Sequence, residues 1–151
     1  MKTALKNVAP ALLILLFAYA AVSKLADFNM FRHEMHNQNF SPEVAEALLY
    51  LVPAAEVMAI ILFLTEKGQR AGLMLSAILM ALFTGYIGLV LAGYWQRVPC
   101  SCGGVLKNMS WRVHFAFNLF FLTIAVAALT IPKRETKPSQ YKGKAENLRK
   151  E

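Results

Sequence analysis

The stretch "AGLMLSAILMALFTGYIGLVLAGYWQ", residues 71–96, contains no charged side chain. A helix rises 1.5 Å per residue, so about 20 apolar residues cross the hydrocarbon core of a bilayer. Residues 71–96 therefore read as a membrane span. Charge is also missing between Lys6 and Lys24 and from residue 113 to 132. A fourth apolar stretch, roughly residues 44–65, holds two charges, Glu46 near its start and Glu56 in its middle. Within hydrocarbon every backbone N–H and C=O must be paired inside its own segment, which makes these spans helices. The composition agrees, at 57% hydrophobic and 17% charged residues, against about 25% charged in soluble domains.

The first span has Lys2 and Lys6 in front and the small-residue run "AYAAVSK" behind, in the manner of a signal peptide. It is read as a retained helix, because four spans complete a closed bundle. The expectation is an all-α, four-transmembrane-helix bundle over residues 1–132, followed by a basic tail over 133–151. The tail "KRETKPSQYKGKAENLRK" is poor in apolar residues, which predicts disorder and, at most, contact with anionic lipid heads.

Four spans put both termini on one side. That side carries Lys2, Lys6, Lys67, Arg70 and the seven basic residues after Pro132, eleven of the 16 Lys and Arg. The positive-inside rule then places the termini in the cytoplasm and the two longer connections outside. For a bacterial chain this means the inner membrane. The net charge of +7 is explained by this asymmetry and needs no nucleic acid.

Between the first two spans, "DFNMFRHEMHNQNF" places Phe28, Phe31 and Met35 three and four residues apart, with Arg32, His33, Glu34 and His36 on the other side. That pattern predicts a short interfacial helix with its apolar side down. "SPE" at 41–43 reads as a helix start, with Ser41 as cap and Pro42 in the first turn. Pro53 predicts a kink in the second span. The third span is rich in Gly, Ala and Ser, which let helices approach closely in lipid. The fourth starts near Ser110.

Cys100 and Cys102 are the only cysteines, one residue apart in "PCSCGG" at 99–104. A bond closing so small a ring adds little stability and is strained, which marks labile, exchanging disulfides. Gly103 and Gly104 free the loop, and Arg97, Lys107 and the start of the last span favour a thiolate. A structural loop disulfide is the plainer alternative. Metal binding is disfavoured, because two Cys and His114 fall short of four ligands.

Glu56 is costly within a span and calls for a partner or a role. Lys24 is a candidate partner at the outer end of the first span. Counted from Pro42, however, Glu56 falls near mid-membrane, and Asp27 is the nearer mate for Lys24. His114 could stabilise a thiolate or shuttle a proton, with Asn118 one turn on to hold it. His33 and His36 read as an amphipathic surface in preference to a soft-metal site.

The four spans, "SKLADFNMF", "LVPAAE", and Cys-x-Cys-Gly ahead of "SW" resemble the DoxX-like superfamily, in particular its MauE-type branch from methylamine utilisation. The resemblance covers about residues 1–132. It implies a redox-associated membrane protein working with a thioredoxin-like or other cysteine-containing periplasmic protein. Cys100 and Cys102 match the branch's cysteine pair, and Lys24, Asp27, Pro53 and Glu56 match its other marked positions. Phe-Gly is common after the second cysteine in that branch, where this chain has Gly103-Gly104.

Three functions are weighed. The first is a thiol–disulfide oxidoreductase that relays or forms disulfides, with a quinone as acceptor by analogy with other four-helix disulfide-forming membrane enzymes. The second is a non-enzymatic anchor or assembly partner of a periplasmic or secretion component, its cysteines stapling the loop. The third is a small-molecule carrier with Glu56 in its path. The sequence fixes no cofactor.

Overall fold

Apolar helices separated by short polar breaks leave the chain little choice but to pack side by side. In the computed structural model, residues 2–65, 67–95 and 110–130 are described, with side chains from Val8 onward. They form α1 (Lys2–Ala26), α2 (Phe28–His36), α3 (Pro42–Leu64), α4 (Gln69–Leu91) and α5 (Trp111–Leu129). No strand occurs among them. α1, α3, α4 and α5 are each long and apolar enough to cross a membrane. Only 22–33% of the apolar window of each is buried. Leu15, Leu64, Leu82 and Phe120 are all more than half exposed, a surface suited to lipid and not to water. The all-α bundle of four spans and one short helix is therefore as expected.

The four long helices form a closed ring in the order α1, α3, α4, α5. One half of the ring is packed solid: Leu13 and Phe17 of α1 meet Ala59 and Phe63 of α3, Leu79 and Met80 of α4, and Ala125 of α5. Gly72 lets α4 approach α3, because a Cβ there would stand 3.0 Å from the Phe63 ring. A second cluster holds α2 on the start of α3, with Phe31 and Met35 against Ala45 and Leu49.

The helix ends follow local chemistry. The Ser41 hydroxyl accepts from Val44 N–H with Pro42 as first helical residue, and the Ser110 hydroxyl accepts from Val113 N–H. α4 ends where Gly93 adopts φ 71°, with Tyr94 N–H donating back to Leu89 C=O. α3 runs through the buried Pro53 as one helix. α2 follows its apolar spacing with one departure: Glu34 is turned inward and buried at 7% exposure, where the pattern placed it on the polar side.

Candidate functional site

The other half of the bundle is hollow. A cavity of about 330 Å³ lies among α1, α3, α4 and α5, under α2. Phe17 and Met80, shared with the packed core, form part of its wall, and Phe31 and Met35 of α2 close on it. Its remaining surface is mostly aromatic and aliphatic, with Phe83, Phe117 and Trp111 among the contributors. Lys24, Glu56, His114 and Asn118 are among its polar lining residues, together with the hydroxyl-bearing Tyr19, Ser23 and Tyr86.

Lys24 and Glu56 are joined. Lys24 Nζ donates to Glu56 Oε1 at 2.8 Å, with the two side chains 16% and 2% exposed. This corrects the expectation that Asp27 would be the mate of Lys24. Asp27 instead caps α2, its Oδ1 accepting from Met30 N–H at 3.1 Å. Two physical reasons make the reach. Helical side chains tilt toward their own N-terminus. Lys24, near the end of α1, therefore points back into the bundle, and Glu56, on antiparallel α3, points outward to meet it. In addition, the first turns of α3 pack on α2 through Ala45 and Leu49, so the helix length counted from Pro42 includes turns that lie beside the short helix.

The ammonium is held further by Ala20 C=O at 3.2 Å and sits 5.9 Å from the centre of the Phe31 ring. The carboxylate is less well served. Among the described residues its Oε2 is buried without a hydrogen-bond partner. Removing a charged pair from water requires satisfying the remaining lone pairs as well, so this oxygen is the open position of the site.

His114 and Asn118 stand one turn apart on α5, and Asn118 is buried. Both face the cavity, but no hydrogen bond joins them among the described residues, so Asn118 is not the support for His114 that the spacing suggested. Gln38 and Tyr86 are not singled out by any sequence pattern. The Tyr86 hydroxyl donates to Gln38 Oε1 at 2.7 Å, and the Gln38 amide donates to Glu34 C=O. Tyr86 also packs on Phe40 and Trp95. These contacts tie the α2–α3 connection to the end of α4. A polar residue in a loop and a tyrosine near a span end carry no joint signal until the fold brings them together. On the outer surface, Arg32 and His36 both pair with Glu46 of α3.

Cys100 and Cys102 lie outside the described residues, as does the basic tail over 133–151. In the chain they belong to the connection between α4 and α5.

No curated protein and no solved structure matches the chain significantly. The family model described as "Methylamine utilisation protein MauE" matches residues 2–131. With four spans exposed to lipid and that match over most of its length, the chain is a multi-pass membrane protein of the MauE family.

Proposed function

We propose that this protein relays or forms disulfides through Cys100 and Cys102 at the outer face of the bacterial inner membrane, with a thioredoxin-like periplasmic protein as partner. The observation that carries the reading is the cysteine pair itself. The chain's only two cysteines stand one residue apart in the connection between two spans. The charge asymmetry favours the outer side for that connection, where disulfides form and persist. The family description supports methylamine utilisation as the setting; the proposed client is a cysteine-rich periplasmic protein.

The exchange is balanced without other groups. A partner thiolate attacks one sulfur of the Cys100–Cys102 bond and forms a mixed disulfide. The partner's second thiolate resolves it. The partner then holds the disulfide, and Cys100 and Cys102 are thiols; two electrons have moved to this chain.

Trapping tests the proposal. With Cys100→Ala and Cys102→Ala made separately, one variant accumulates a dithiothreitol-sensitive adduct with a periplasmic protein, and the double variant gives none. Absence of the adduct in both, with a midpoint of the wild-type pair well below about −300 mV, where structural disulfides sit, would leave the anchoring role in its place.

A further inference from the structure

Each disulfide made in a partner leaves Cys100 and Cys102 reduced. The chain has no other cysteine to take the electrons. The next turnover needs a two-electron, two-proton acceptor, and for a membrane bundle the accessible store is the lipid phase. We propose that the cavity among α1, α3, α4 and α5 binds a membrane quinone that reoxidises the pair. This inference rests on the disulfide reading above.

Size and walls fit. At about 330 Å³ the cavity stands at the lower end of the roughly 300–1,000 Å³ that small-molecule sites occupy. Phe83, Phe117 and Trp111 supply faces for a flat ring.

The polar groups select further. Lys24 and Glu56 form an ion pair with no net charge, so a bound cation meets Lys24, a bound anion meets Glu56, and a neutral dipolar head meets neither as a net cost. A quinone head is neutral and carries two oxygens. As quinone it accepts hydrogen bonds, for which the Lys24 ammonium and the Asn118 amide are donors. As quinol it donates, and Glu56 Oε2 is a buried acceptor with no donor among the described residues. An unpartnered buried oxygen is costly, and a quinol hydroxyl removes that cost. An acyl chain has no donor and leaves Oε2 as it is.

The reaction is Cys100 and Cys102 thiols plus quinone giving disulfide plus quinol. Two S–H bonds break and one S–S bond forms. Two electrons and two protons pass to the two quinone oxygens.

The test is binding of decylubiquinone to the full-length protein in detergent, read by quenching of Trp111 fluorescence in a Trp95→Phe background, since the chain has two tryptophans. The expected result is saturable binding of one molecule per chain, unchanged in Cys100→Ser, Cys102→Ser. Affinity falls at least tenfold in Ala20→Phe, which fills the cavity. It falls equally in Lys24→Met, Glu56→Leu, which removes the polar pair together. Quenching that survives both variants, or that an equimolar amount of decanol abolishes, overturns the site. Because Trp111 quenching does not involve the cysteines, loss of quinone binding and loss of the mixed disulfide are separate outcomes.

Discussion

Removing Lys24 while keeping Glu56 leaves a carboxylate at 2% side-chain exposure with neither oxygen partnered. Breaking a buried pair from one side costs about 3–5 kcal/mol. With about 2–4 °C of Tm per kcal/mol for a chain of this size, Lys24→Met should lower the unfolding midpoint by roughly 6–20 °C. Glu56→Leu behaves differently. It loses the 2.8 Å ion pair, but it also removes the unpartnered Oε2, worth about 1–3 kcal/mol. The Lys24 ammonium keeps Ala20 C=O and, with 16% of its side chain already exposed, turns to the interface. Its net change should stay within about 1 kcal/mol. Lys24→Met, Glu56→Leu should be similarly mild, giving a coupling between the sites of about 3 kcal/mol in a double-mutant cycle. Thermal unfolding of the detergent-solubilised protein, followed by near-ultraviolet circular dichroism, measures all four states. Equal losses for the two single variants, or single losses that add up to the double, would refute the pairing and the asymmetry derived from it.

Three further outcomes are expected, two from the structure and one from the charge pattern of the sequence. Gly72→Val forces the Phe63 ring, which a Cβ at this position would already meet at 3.0 Å, and should cost about 1–3 kcal/mol; Gly85→Ala, where nothing lies within 4 Å, should leave the midpoint unchanged. Ser110→Ala loses the cap of α5 and should cost about 1 kcal/mol, with Ser110→Asp restoring it. A membrane-impermeant maleimide should label Cys100 and Cys102 in intact spheroplasts after mild reduction; labelling confined to inverted vesicles would place the pair on the cytoplasmic side and end the disulfide proposal.

The sequence by itself determined the architecture. Uncharged runs of span length, such as residues 71–96, force helices wherever water is absent. The caps Ser41 and Ser110 and the spacing of Phe28, Phe31 and Met35 are local signals, readable because the interactions involved span three or four residues. Cys100 and Cys102 were equally legible as a pair, since adjacency in the chain is adjacency in space. Only the tertiary structure decided which of the small residues of α4 matter: Gly72 and Ser76 are buried at helix contacts and Gly85 faces outward, a matter of which face each neighbour covers. It also decided the mate of Glu56. Residue counting along α3 argued against a reach to Lys24. The first turns of α3 lie against α2, and the two side chains lean toward each other along antiparallel helices. The cavity is of the same kind: Lys24, Glu56, His114 and Asn118 come from three helices, and no local pattern records where four helices fail to fill the space between them.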